Sequence, residues 1–278
     1  MSIKIIADSS HDMNKELKAK LDVEIVPFKL YIDEEEIVDD EKLDIVNFID
    51  RMVHSAELPR TACPSPNDFM EHFKDEAEAF VITISAVLSG TYNSAKLAKQ
   101  MYLEEKPEKK IHIFNSKTAS IGETLISVKI RELMEQGINF DGMIKPVEEY
   151  IDQMKTFFIS DSLNNLIKNG RIPSWKGKMA MALKIMPIMG ADDEGNIKLF
   201  TKARGANRAI DKLVEMIEKS ADDFSNRVIA ISHVNNLDRA LKVKERVMEV
   251  CNFKDVIIVQ TAGLSSLYCD NQGIIVSY

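Results

Sequence analysis

The chain has 278 residues, 45% hydrophobic and 29% charged, the balance of a globular protein long enough for one large or two ordinary domains. Its formal net charge of −8 argues against a general nucleic-acid binder, which needs a basic face. No apolar run reaches the ~18 residues of a membrane span, no signal-peptide pattern opens the chain, and Cys63, Cys251 and Cys269 have neither metal-ligand nor disulfide-framework spacing, so the expectation is a cytoplasmic protein without an integral membrane segment.

Residues 3–7 read as a first strand, with Asp8-Ser9-Ser10 at its carboxyl end, ahead of a helical segment carrying Met13, Leu17 and Leu21. A second strand over 23–31 leads through an acidic segment to a helix at about 43–52. Next, residues 58–66 hold three prolines within eight positions. Each proline restricts the residue before it and donates no N–H, so the segment is expected as a rigid extended loop displaying Thr61. Ser65 or Asn67 is suited to capping the helix that carries Phe69, Met70 and Phe73.

The apolar run 80–84 precedes Ser85-Ala86-Val87-Leu88-Ser89-Gly90-Thr91, and a helical pattern follows it. This turn therefore falls where a strand hands over to a helix, as Ser9 does near the start. Free backbone N–H groups and the positive end of the helix dipole converge at such a junction, which suits it to an anion, with Ser89, Thr91 and Ser94 as hydroxyl donors around Gly90. The bland alternative is that Ser89 only caps the helix. Residues 111–115 form another strand, 116–122 a third polar turn, and helices follow over 124–135 and about 141–155. A domain division near Lys155 gives units of 1–155 and 156–278.

The second half opens with a strand at 156–159 and a short helix that stops at Asn169-Gly170, holding Arg171 just beyond. Helical patterning over 179–185, a strand at 186–189, a turn at 192–196 and residues 198–200 lead into Lys202-Ala203-Arg204-Gly205. A helix at 206–219, a strand at 228–232, a helix at 237–250 and a strand at 256–259 follow. A polar turn over 264–273 and an apolar segment, 274–276, end the chain. Alternating strands and helices indicate an α/β fold, two α/β lobes with mainly parallel sheets. Residues 168–178 and 198–208 each contain four basic and no acidic residues, local cationic stretches suited to docking or phosphate handling, or simply solvated loops.

Met179, Met181, Met186 and Met189 crowd one region, where flexible thioethers suit an alkyl ligand or ordinary core packing. There is no nucleotide-type Gly-rich loop and no His-Glu-x-x-His motif. A serine-hydrolase reading would use Ser89 with His233 and Asp238, but Val87 and Thr91 stand where the nucleophile elbow has glycines.

Five motifs occur together in order: Asp8-Ser9-Ser10, Thr61-Ala62-Cys63-Pro64-Ser65-x-x-x-Phe69, Ser85-x-x-Leu88-Ser89-Gly90-Thr91-Tyr92, Asn169-Gly170-Arg171-Ile172 and Lys202-Ala203-Arg204-Gly205. In these the chain resembles DegV-family proteins over nearly its whole length. The resemblance implies a two-domain α/β protein enclosing one long-chain fatty acid in an apolar tunnel. It implies a carboxylate held near Thr61 and Ser89, with Ser9, Gly90, Thr91 and Cys269 close by, and no cofactor besides the lipid.

In bacterial fatty-acid kinases such a protein presents the carboxylate to a separate ATP-dependent kinase subunit, which makes acyl phosphate for phospholipid synthesis. Arg171 and Arg204 then belong to the exposed face that meets the kinase and handles the phosphoryl group. By itself the binding subunit has no turnover. Two departures stand out. Ala62-Cys63 replaces the family's Ser-Gln, and the turn at Cys269-Asp270-Asn271-Gln272-Gly273 lacks the His-Thr-Gly-Pro-Gly pattern whose histidine approaches the carboxylate. A stand-alone hydrolase, and a lipid sensor or scaffold without a kinase, are the competing readings.

Overall fold

The computed structural model describes residues 3–74, 78–172 and 185–278. Up to Gln153 the elements are β1 (Ile3–Asp8), α1 (Lys15–Leu21), β2 (Val23–Val26), β3 (Lys29–Ile32), β4 (Glu35–Val38), α2 (Ile45–His54), β5 (Arg60–Ala62), α3 (Pro66–Glu71), β6 (Glu78–Thr83), α4 (Thr91–Glu105), β7 (Ile111–Asn115), α5 (Ile121–Glu135) and α6 (Phe140–Gln153). From Thr156 onward come β8 (Thr156–Ile159), α7 (Asn164–Lys168), β9 (Ile185–Ala191), β10 (Ile197–Arg204), α8 (Ala206–Glu218), β11 (Val228–His233), α9 (Leu237–Val250), β12 (Asp255–Gln260), α10 (Gly263–Cys269) and β13 (Ile274–Ser277).

The first sheet has the order β2-β1-β6-β7, with every pair parallel. Its strands are apolar at successive positions because both faces are covered. Ile5, Ala7, Phe80 and Ile82 point to the side of α5 and α6, where they meet Ile126, Ile130 and Phe140. Ile6 and Val81 point the other way, onto Phe69 and Phe73 and the small faces of Ala95 and Ala98 in α4.

The expected strand at 23–31 is two strands in different sheets. Pro27 separates β2 from β3; lacking an N–H, it leaves the ladder, and the next amide, that of Phe28, donates to Ser9 Oγ at 3.0 Å. The chain then enters a small antiparallel sheet, β4-β3-β5. The proline-rich arm contributes its edge strand, since Thr61 pairs with Leu30.

Every described strand from Thr156 onward lies in a six-stranded sheet of order β10-β9-β8-β13-β11-β12. Here the expectation of a mainly parallel sheet fails: only β11 and β12 pair in parallel. The tight turn at Asp192–Asn196 forces β9 and β10 antiparallel, and β13 returns between β8 and β11 antiparallel to both. Helices α8 and α9 cover one face, packing Leu213, Ile217 and Val243 onto Ile188, Ile231 and Val276.

The opposite face looks into the molecule. There Phe158, Met189 and Ile275 share a cluster with Phe28 and Leu30 of the small-sheet region, Ile84 after β6, and Leu264 and Leu267 of α10. Helix α10 lies where a polar turn was expected. The helical expectation for 179–185 falls outside the described residues except at Ile185, the first residue of β9. No described helix is long and apolar enough to cross a membrane.

Candidate functional site

At the carboxyl ends of β1 and β6, and in the loop beyond β7, the chain turns toward the inner face of the six-stranded sheet and leaves a cavity partly open to solvent. This is where open parallel sheets gather ligands. Most of the wall is apolar: Phe28, Ile84, Leu88, Phe158, Leu166 and Ile275 all face it.

One corner is polar, and four elements build it. Thr61 comes from β5, Ser89 from the loop before α4, Arg171 from beyond α7 and Tyr268 from α10. Thr61 Oγ1 and the Tyr268 hydroxyl lie 3.0 Å apart. Arg171 is half-buried: its Nε donates to Leu88 O at 3.3 Å, one terminal nitrogen donates to Asn169 O at 2.5 Å, and the guanidinium carbon lies 5.7 Å from the centre of the Tyr268 ring. Its remaining N–H groups give this corner a fixed positive charge beside two hydroxyls, a set that holds an oxyanion well.

Of the residues singled out in the sequence, Thr61, Ser89, Arg171 and Cys269 line the cavity and Ser9, Gly90, Thr91 and Arg204 do not. Ser9 is committed elsewhere, donating to Asp39 Oδ2 at 2.7 Å while accepting from Phe28 N. Gly90 is exposed at the N-cap of α4. Thr91 is buried with its hydroxyl 2.8 Å from Ser89 Oγ, which also accepts from Thr91 N at 3.3 Å. Ser89 therefore answers one helix amide itself.

Arg204 is exposed at the end of β10, whereas Arg171 is not the surface residue expected, because its contacts to Leu88 and Asn169 draw it into the wall. Burial pushes the Cys269 thiol far above its usual range, so it faces the cavity as a neutral group. Met186 and Met189 are buried in the core and do not line the cavity. Met179 and Met181 lie outside the described residues.

The hydrolase triad is not assembled. His233 Nδ1 accepts from Asn236 N at 3.2 Å, and the hydroxyl contact of Ser89 is with Thr91. Tyr268 went unnoticed in the sequence because nothing local distinguishes it; its partner is 207 positions away.

Behind the cavity lies a set of buried acids, of which the sequence singled out only Asp8, in its Asp-Ser-Ser turn. Asp8 ties the end of β1 to the end of β6, accepting from Ile84 N at 2.9 Å and Ser10 N at 3.0 Å. Asp12 accepts from Ala262 N at 2.7 Å and from the Ser120 hydroxyl. Asp39 accepts from Gly263 N at 2.8 Å and Leu264 N at 2.9 Å, besides Ser9.

That last contact explains α10. Ala262 at its N-cap offers no side-chain acceptor, so a carboxylate from the β4–α2 connection supplies the cap. Gly263 permits the approach: a Cβ there would lie 2.5 Å from Asp39 Oδ1 and 2.6 Å from Leu30 Cδ1.

Burial raises Asp8 and Asp12 to about 7 and Asp39 to about 6, and lowers His11 to about 4. Glu123 is fully buried with no hydrogen-bond partner on either oxygen, and desolvation together with the nearby Asp8 pushes it well above the carboxylate range. Among the described residues no cluster of His, Cys, Asp and Glu is arranged to hold a metal ion.

Comparison with known proteins gives a consistent picture. A family model described as "Uncharacterised protein, DegV family" matches residues 2–272. A DegV domain-containing protein of Streptococcus pneumoniae is 31% identical over 280 residues, spanning 100% of this chain and 99% of the relative. A crystal structure of a DegV-family protein from Ruminococcus gnavus, refined with vaccenic acid, superposes with a TM-score of 0.96 at 38% identity, covering 100% of both chains. The Fatty Acid Kinase (Fak) B3 protein of Streptococcus pneumoniae, loaded with linoleic acid, matches at TM-score 0.91 and 30% identity over 100% of this chain and 99% of that one. A DegV-family protein from Eubacterium eligens loaded with heptadecanoic acid matches at 0.91 and 30%, with 99% of each chain covered.

Proposed function

The chain belongs to the DegV family, and on that premise we propose that it binds one long-chain fatty acid in the central cavity, carboxylate toward Thr61, Ser89, Tyr268 and Arg171. The observation that carries this reading is a largely apolar cavity in which a guanidinium and three hydroxyls gather at one corner, with no acid side chain in its lining. Burying the tail releases about 0.8 kcal/mol per methylene. Taking the carboxylate out of water opposes binding unless charged or hydroxyl donors meet it, which is the part played by the corner.

Organic extracts of the purified, denatured protein are expected to contain close to one fatty acid per chain by mass spectrometry. Thr61→Val combined with Ser89→Ala is expected to weaken binding by about 1.5–3 kcal/mol for each hydrogen bond lost to the charged group, with the melting temperature little changed. Extracts without lipid, together with no thermal stabilisation by added fatty acids, would refute the reading.

The chain is then a carrier without turnover of its own. A separate kinase would catalyse attack of the bound carboxylate oxygen on the γ-phosphorus of ATP, releasing ADP and leaving an acyl phosphate. Similarity to the Fak B3 protein supports such a partner. Arg204 is a suitable contact for it, since Lys198, Phe200 and Lys202 lie beside it on the exposed face of β10. Arg204→Ala is expected to keep the co-purified lipid and lose acyl phosphate formation with kinase and ATP, whereas Arg171→Ala loses lipid affinity. An Arg204→Ala protein that supports full phosphorylation would remove Arg204 from the transfer step.

A further inference from the structure

Thr118 and Thr156 form part of the wall of the apolar cavity and, together with Ala191, also line a smaller hollow beside it. These three residues therefore separate the two spaces. The hollow differs from the cavity in chemistry. Lys117 Nζ there pairs with Asp152 Oδ1 at 2.9 Å, Lys155 Nζ pairs with Asp193 Oδ1 at 3.6 Å, and all four residues line it.

The partition is braced by hydroxyls that satisfy one another. Thr118 Oγ1 and Thr156 Oγ1 are 2.7 Å apart, and Thr156 Oγ1 and Ser277 Oγ are 2.9 Å apart, which joins the β7–α5 turn, β8 and β13. Thr118 has no room to retreat. A Cβ on Gly122 of α5 would lie 2.5 Å from Thr118 Oγ1 and 2.7 Å from its Cγ2, so the glycine already marks the closest approach.

An alkyl chain lengthening along the cavity in this direction meets a closed hydroxyl chain and, behind it, two ion pairs. Each further methylene would have to break buried hydrogen bonds and then displace water from charged groups, gaining little apolar surface in return, since only Ile151, Met154 and Ala191 of that lining are apolar. From this geometry we infer that the Thr118–Thr156 pair is a specificity-determining stop that sets the greatest acyl-chain length the cavity accepts. The inference rests on the fatty-acid reading above and adds to it the residues that measure the tail.

The test uses delipidated protein and a series of straight-chain saturated fatty acids, each two carbons longer than the last. Wild-type affinity rises with length and then falls abruptly at one member. In Thr156→Ala that fall moves to a longer acid, and the first acid beyond the wild-type limit gains roughly fifteenfold in affinity, given about fourfold for each of the two methylenes buried. Thr156→Ser keeps the hydroxyl bonds and moves the limit by a smaller step. Gly122→Ala drives Thr118 into the cavity and moves the limit to a shorter acid.

An unchanged limit in folded Thr156→Ala overturns the stop while leaving fatty-acid binding intact. Should Thr156→Ala fail to fold, an unchanged limit in both Thr156→Ser and Gly122→Ala overturns it equally. Wild-type protein that binds no member of the series overturns the fatty-acid reading itself, an outcome distinct from the other two.

Discussion

Replacing Asp39 by alanine is expected to remove about 4 kcal/mol of folding stability, lowering the melting temperature by roughly 10 °C, and to abolish retention of the ligand. Asp39 is 3% exposed and accepts three hydrogen bonds, from Ser9 Oγ, Gly263 N and Leu264 N. Alanine leaves those donors buried without partners, which costs about 1–3 kcal/mol for each, and withdraws the negative charge from the N-terminus of α10. The donors share one acceptor, so their contributions do not simply add.

The ligand effect follows from position. Helix α10 carries Leu264, Ser265, Tyr268 and Cys269 into the cavity wall, and Tyr268 forms half of the Thr61 pair. Asp39→Asn is expected to fall between alanine and wild type, because one carboxylate oxygen becomes an NH2 facing a backbone or hydroxyl donor. Thermal denaturation and ligand extraction on the three proteins check this. A melting temperature for Asp39→Ala within about 2 °C of wild type would show that α10 is held by its packing alone.

The second large effect is a loss of stability with rising pH. The folded protein holds protons on Asp8 and Asp12 up to about pH 7 and on Asp39 up to about pH 6, whereas the unfolded chain releases them near 3.8. Between these limits the folded state binds more protons, so each carboxyl favours folding most at acidic pH, and the benefit is lost as pH rises through the folded value. From pH 6 to pH 8, Asp8 and Asp12 should each cost about 1.4 kcal/mol.

Glu123 adds to the same trend, since desolvation raises it well above 4.5. His11 opposes it: lowered from 6.5 to about 4, it is buried neutral, and its contribution is present above 6.5 and lost as pH falls toward 4. Four carboxyls outweigh one histidine throughout this range, so the melting temperature is expected to be highest near pH 4–5 and to decline steadily by pH 8. Glu123→Gln, which cannot ionise, should flatten the decline. A wild-type melting profile that is level from pH 6 to pH 8 would mean that the acids are solvated or paired in solution.

The sequence by itself determined the alternation of strands and helices, because that information is local. Apolar runs such as 5–7 and 80–82 identify strands covered on both faces, and these strands form the parallel sheet. The Ser-Gly-Thr turn was legible for the same reason: strand, small polar residues and helix follow one another without a break, and Ser89 reaches the cavity from that junction. Thr61 was visible on its proline-rich arm, though its strand pairing with Leu30 was not.

What the tertiary structure alone decided are relations between distant positions. Periodicity does not reveal which strand will pair with which, so the antiparallel character of the second sheet appears only when β13 inserts between β8 and β11. The seven residues of α10 look like a turn because they carry no cap of their own; their cap is Asp39, more than two hundred residues earlier in the chain. Tyr268 becomes a site residue only because that capped helix brings its hydroxyl to Thr61, and Arg171 becomes a wall residue because Leu88, 83 positions earlier, accepts its Nε–H. In each case the deciding interaction is a hydrogen bond from a partly or fully buried group to a partner far away in sequence, and local residue pattern carries no record of such a partner.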